Sequence, residues 1–262
     1  MVDPAEAVSK ARAVVTERAE LPGMSLMEHL DELRKRIVHS AIYLAVGFFV
    51  AWFFHDRIVD FFQAPIIHIG KKLMFTHPMD ALNFDLYASM LAGAILASPF
   101  ILYQVWLFIA PGLYKKEQRF VVPFMAATVC LFLTGAAFGY FWVMPAAIKI
   151  LVVDFGRNFT PMISIDDYTG FFLSVILGLG VSFELPILIF FLAMFGIVSP
   201  KFLWKNIRYA ILVVFLVAAV ICPSPDPWTM CIYALPMLGL YFIGIAVAWR
   251  VHPSRRKAKE AA

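Results

Sequence analysis

Charge is scarce in this chain, cysteine scarcer still, and the motifs that would announce an enzyme are missing. Asp, Glu, Lys and Arg make up only 15% of the 262 residues, hydrophobic residues make up 62%, and mean hydropathy is +0.81. That much apolar surface exceeds what one water-soluble core of this size can hide, so a soluble globular domain is excluded. The three cysteines, Cys130, Cys222 and Cys231, show neither a CxxC spacing nor a His/Cys cluster, which argues against a metal or thioredoxin-like redox site. Cys130 reads as an inert packing residue, whereas Cys222 and Cys231 flank one short turn and stand either as free thiols or as a pair in an oxidising compartment. No HExxH, no phosphate-binding loop and no Ser–His set at membrane depth is present, so no catalytic group and no cofactor is expected. Lys10, Arg12, Glu17, Arg18 and Glu20 interrupt residues 1–33, where a cleavable leader is therefore not expected. The basic residues form no stripe with interleaved aromatics, which speaks against nucleic acid, and no internal repeat suggests an inverted-repeat transporter.

What is present is a series of apolar runs, at about 37–54, 86–110, 120–148, 168–197, 208–222 and 229–249. A hydrocarbon layer about 30 Å thick needs roughly 20 helical residues. The expected fold is therefore all-α, a polytopic membrane protein with six transmembrane helices. Trp52, Trp106, Trp204 and Trp249 stand near the ends of runs, where interfacial aromatics belong. Of the 22 Lys and Arg residues, 17 fall in the N-terminal segment, the second and fourth connections and the tail, which places both termini in the cytoplasm. The chain divides into an N-terminal extension (1–23), a membrane domain (24–250) and a basic tail (251–262).

The other two long connections, about 55–85 and 149–167, read as a cap over the helices, with an amphipathic stretch Arg57–Ile69 broken by Pro65. Three prolines between Pro223 and Pro227 make the last connection a rigid hairpin tip around Asp226. The fifth run has some fifteen residues, roughly 22 Å of helix, short for a bilayer.

Two segments carry candidate chemistry. In Met24–Arg36, Met27, Leu30, Leu33 and Ile37 make one apolar stripe of a helix, and the segment is expected to lie along the inner membrane surface. Glu32 and Arg36, four residues apart, pair on a solvated face or serve a ligand. His29 and Glu32 have a metal-like spacing but no further ligand nearby. Near the middle of the fourth run, roughly 18 Å of helix from Phe195, stands Glu184. An acid there costs several kcal/mol unless it is neutral, paired or hydrated, so it marks either function or a hydrogen-bonded packing role. Pro186 is expected to bend the helix beside it.

The segment His29-Leu30-Asp31-Glu32-Leu33-Arg34-Lys35-Arg36 resembles the signature of the TatC family, the polytopic receptor subunits of the twin-arginine protein translocase. The stretch from Ser98-Pro99-Phe100 through Ala110-Pro111-Gly112-Leu113-Tyr114-Lys115-Lys116-Glu117 is similar to that family's most recognisable motif. Gly180-Val181-Ser182-Phe183-Glu184-Leu185-Pro186 and Pro225-Asp226-Pro227 follow in the same order. The resemblance covers about residues 24–250. It implies a shallow concave wall of helices with Glu184 on the cupped side. It further implies a signal-peptide site in which Glu32 and Glu117 receive the paired arginines, flanked by Leu33, Arg34, Arg36, Phe108 and Tyr114. Asp226 and Pro65 become structural or functional residues of the outer turns. Cys222 and Met230 depart from the polar residues some members carry.

The partners implied are twin-arginine signal peptides of folded cargo, the single-span subunits TatA and TatB, other copies of the chain and the bilayer, without nucleic acid. The location implied is the cell inner membrane, with transport drawing on the proton-motive force. A carboxylate pair suits this task, since the planar guanidinium is always charged and binds carboxylate in two parallel hydrogen bonds. The competing reading is a proton-coupled small-solute transporter using Glu184.

Overall fold

The computed structural model describes residues 26–109, 121–222 and 227–251. Almost all of them are helical, as lipid demands: with no water to satisfy backbone N–H and C=O groups, a spanning segment must bond to itself. Helix α1 (Leu26–Phe53) is 28 residues long. No glycine or proline falls between residues 26 and 46 to interrupt its ladder. The amphipathic segment expected to lie along the membrane surface is therefore no separate helix; it forms the first turns of α1, continuous with the span. After α1 comes α2 (His55–Ile67), a short strand β1 (Leu73–Met74), and α3 (Asp80–Ile109).

The helices α1 and α3 pack so closely that a Cβ built on Gly93 would lie 2.6 Å from the Phe48 nitrogen, and one on Gly47 would lie 2.5 Å from the Gly93 carbonyl oxygen. Only glycine permits that crossing.

The next span begins as α4 (Val121–Phe138). It loosens into a π-helical turn at Gly139–Val143, returns to α5 (Met144–Ile148) and ends in a second π turn at Lys149–Asp154. Pro145 sits at the start of α5; it lacks an N–H and crowds the carbonyl four residues back, a strain that the wider turn before it absorbs. Strand β2 (Ile163–Ser164) leads into α6 (Ile165–Ser182), whose first turn is capped by the Ser164 hydroxyl accepting from the Asp166 N–H at 3.2 Å. Then follow α7 (Leu185–Met194), the short α8 (Pro200–Lys205), α9 (Ile207–Ile221) and α10 (Pro227–Val251).

Among the described residues, five helical segments are long and apolar enough to cross a membrane, and α9 is a shorter apolar helix of 15 residues. The all-α expectation holds apart from one small parallel pairing, Leu73 with Ile163 and Met74 with Ser164, which ties the two long connections together.

That pairing belongs to a capped end. Pro65 lies inside the last turn of α2, buried, and neither breaks the helix nor forms a turn, which corrects both sequence expectations for it. Because Pro65 has no N–H to give, the Phe61 carbonyl is left over, and the Tyr140 hydroxyl donates to it at 2.9 Å. The Tyr168 hydroxyl donates to the neighbouring Phe62 carbonyl at 2.6 Å. Phe61 stacks on Tyr140 and Phe62 on Phe172, with centroids 4.0 and 4.1 Å apart. Asp80, buried at the start of α3, accepts from the N–H groups of Thr76 and His77 at 2.7 and 2.8 Å and from the Thr76 hydroxyl at 3.0 Å. At the other end Trp106 of α3, Phe124 of α4 and Phe191 of α7 meet edge and face. Arg34, Lys35, Arg36, Lys201, Lys205 and Arg208 gather towards this second, basic end.

Candidate functional site

At the basic end the first turns of α1 lie against the last turns of α3. A helix repeats every 3.6 residues, so Glu32 and Arg36 share a face one turn apart. The Arg36 guanidinium bridges two acceptors: Nη2 donates to Glu32 Oε1 at 3.0 Å, and Nη1 donates to Gln104 Oε1 of α3 at 3.2 Å. The Glu32 side chain is only 14% exposed and that of Arg36 28%, so screening by water is weak. Between the two alternatives left by the sequence, the structure selects pairing, though on a shielded face. Yet the pair is incomplete. Glu32 Oε2 and Arg36 Nε are cut off from solvent and have no hydrogen-bond partner among the described residues. A carboxylate with one oxygen engaged and the other empty, in a shielded setting, is a place where a further donor gains more than it would in water.

One turn towards the N-terminus, His29 stacks on Phe108 with ring centroids 4.6 Å apart, closing one flank of this group. Among the described residues no cluster of three or more His, Cys, Asp or Glu occurs, around His29 and Glu32 or elsewhere. Leu33 is half-buried and Arg34 exposed. Tyr114 and Glu117 lie outside the described residues, as does Asp226. Sequence reasoning missed Gln104 as a site residue, although it lies inside the long motif. The signal was legible: it is an amide in an otherwise apolar run, it is buried, and a buried amide must find partners.

Glu184 is a separate feature. The span runs as α6 and α7 with a break at Phe183 and Glu184, and Pro186 stands in the first turn of α7, so the helix is interrupted where the proline was expected to act. Glu184 is half-buried, and its Oε1 has no partner among the described residues. The α4 helix closes on the break at Gly135, where a Cβ would come within 2.7 Å of the Leu179 carbonyl oxygen and 2.8 Å of Phe183. The structure thus brings Glu32, Arg36 and Gln104 into one group and leaves Glu184 out of it.

Residues 28–236 match the family described as Sec-independent protein translocase protein (TatC). A protein of that description from Koribacter versatilis is 50% identical over 267 residues, covering 99% of this chain and 96% of its own. One from Aquifex aeolicus is 36% identical over 229 residues, covering 85% and 93%. A crystal structure of a twin arginine translocase receptor, TatC, superposes with a TM-score of 0.77 at 35% identity, covering 86% of this chain and 99% of that one.

Proposed function

The chain belongs to the TatC family of Sec-independent protein translocase proteins, multi-pass membrane components of protein transport, and we propose that it is the receptor for twin-arginine signal peptides in such a translocase. The basic end faces the cytoplasm, six spans cross the cell inner membrane, and both termini are cytoplasmic, a topology supported by the distribution of Lys and Arg.

The observation that carries the reading is the half-occupied carboxylate of Glu32. A guanidinium from a signal peptide meets there an acid already shaped for a guanidinium. It takes the empty Oε2 and displaces Arg36 from Oε1, while Arg36 keeps its bond to Gln104. One cation replaces another, so the shielded acid is never left without a counter-charge, which avoids the desolvation cost of a bare buried carboxylate. A lysine, a point charge without the planar fork, cannot satisfy both oxygens at once. Glu117, from the connection after α3, takes the adjacent arginine. Leu33, Arg34, Phe108 and Tyr114 shape the surroundings. The bound receptor then recruits single-span TatA and TatB subunits and further copies of itself, and folded cargo passes at the expense of the proton-motive force.

Photo-crosslinking of an Arg-Arg signal peptide to the purified chain from position 33, with a Lys-Lys peptide as control, tests the receptor role. Labelling by Arg-Arg at least about tenfold above Lys-Lys is expected, as for the loss of one charge-assisted bidentate contact. Equal labelling by both peptides refutes it, and solute uptake by the chain alone, lost in Glu184→Gln, would favour the transporter reading instead.

A further inference from the structure

Between α7, α8–α9 and α10 the basic half of the bundle is split by an open groove of about 640 Å³. Its walls are apolar, from Leu185 and Ile189 on one side and Val213 and Val217 on the other, with Met237 at the back. Four polar side chains border it, Ser182, Asn206, Tyr209 and Tyr241; Tyr209 is exposed at the mouth, and the other three each donate to a backbone carbonyl. The Ser182 hydroxyl donates to the Gly178 carbonyl at 2.6 Å, the Asn206 amide to the Phe202 carbonyl at 3.0 Å, and the Tyr241 hydroxyl to the Leu203 carbonyl at 2.9 Å. With those donors engaged and the remaining lining apolar, the interior suits hydrocarbon better than a polar ligand.

Volume narrows the choice. A helix about 10 Å across with a rise of 1.5 Å fills roughly 120 Å³ per residue, so the groove equals only about five residues of a partner helix. Such a helix would rest on the rim; an acyl chain enters.

The mouth supplies the other half of a lipid. Lys201, Lys205 and Arg208 are exposed on α8 and the start of α9, and none forms an ion pair with a described carboxylate. Lys205 ends α8 three residues after Phe202 and directly before Asn206, both of which line the groove, so its ammonium flanks the mouth. Trp204 and Tyr209 are exposed beside these cations, aromatics suited to headgroup depth. Arg208 stands in the first turn of the 15-residue α9, the end expected at headgroup level, and Lys201 and Lys205 stand on α8 just before it.

From this complementarity we infer that the groove is a binding site for an anionic phospholipid of the bilayer, one acyl chain lying along α7 and α9 and the phosphate held by Lys201, Lys205 and Arg208. The site is distinct from the Glu32 group and does not depend on the receptor reading.

The full chain is reconstituted in bilayers of phosphatidylcholine with a minority of phosphatidylglycerol, extracted gently, and its retained lipids are counted by native mass spectrometry. Wild type retains phosphatidylglycerol at least about tenfold above its bulk share, within the roughly hundredfold that three cations at a membrane surface could supply. The variant Lys201→Gln/Lys205→Gln/Arg208→Gln retains lipid but loses the enrichment to within about twofold. Val217→Trp, which fills the groove, loses retained lipid of both kinds while its elution as a folded species is unchanged. Equal retention of the two lipids by wild type, enrichment that survives in the triple variant, or crosslinking of a single-span helix into the groove in place of lipid would overturn the assignment. Because signal-peptide crosslinking from position 33 is read separately, failure of either result leaves the other standing.

Discussion

The two ends of the bundle handle their buried charged groups in opposite ways. At the capped end the Phe61 carbonyl is answered by Tyr140, the Phe62 carbonyl gains a bond from Tyr168 and the Asp80 carboxylate is held by Thr76 and His77, while the buried Ser89 and Tyr233 hydroxyls have no described partner. At the basic end Glu32 Oε2 and Arg36 Nε are shielded and have no described partner. Burial without partners costs stability, and a fold keeps such groups where something else is served. The comparison separates residues that hold the molecule together from residues held ready for a ligand.

The strongest way to break the contrast is to separate the helices that join both ends. Gly93→Val places side-chain carbons against the Phe48 and Gly47 backbone, which cannot give as a flexible side chain would. Overpacking of this kind costs about 1–3 kcal/mol or more, and fluorescence-detected size exclusion should show most of the variant lost from the monodisperse peak. Survival with unchanged thermal stability would mean the crossing is looser than described.

Next in size, Glu32→Ala combined with Glu117→Ala should weaken signal-peptide capture by about 10–100-fold, from charge-assisted bonds of roughly 1.5–3 kcal/mol, with some loss of Tm from the unpaired Arg36 but with elution as a folded, monodisperse species retained. Full capture by the double variant in a binding titration would remove the proposed ligand from the basic end.

Tyr168→Phe tests the other side. It removes one buried hydrogen bond, worth about 1 kcal/mol, so Tm should fall by a few degrees while capture stays normal. Lost capture with an unchanged Tm would invert the comparison.

The smallest effect is expected from Gln104→Leu, which removes the acceptor that holds Arg36 when it leaves Glu32. Affinity for the peptide should drop about fivefold, the scale of one hydrogen bond near 1 kcal/mol. Tighter capture would instead show that Gln104 opposes the exchange.

Much of this was readable before any fold was known. The apolar runs correspond to α1, α3, α4, α6–α7, α9 and α10 because a helix in lipid satisfies its backbone locally, so composition over some twenty residues suffices. Glu184 stood out for the same reason, as a charge against an apolar background, whereas Glu32 and Arg36 stood out by their four-residue spacing and by the family resemblance of their segment. Pro65 was misread because a proline's local effect depends on what receives the carbonyl it frees, here a tyrosine 79 residues away.

From the order of residues alone came the helices, their number of apolar turns, the acid in the fourth run and the family resemblance, all of them matters of spacing along one segment. Tertiary structure decided the rest: that Arg36 reaches Gln104 across 68 residues, that Tyr168 caps Phe62 across 106, and that α7 and α9 part to leave a groove. Side chains far apart in sequence meet only through the angles and distances at which whole helices pack, and no local pattern encodes those.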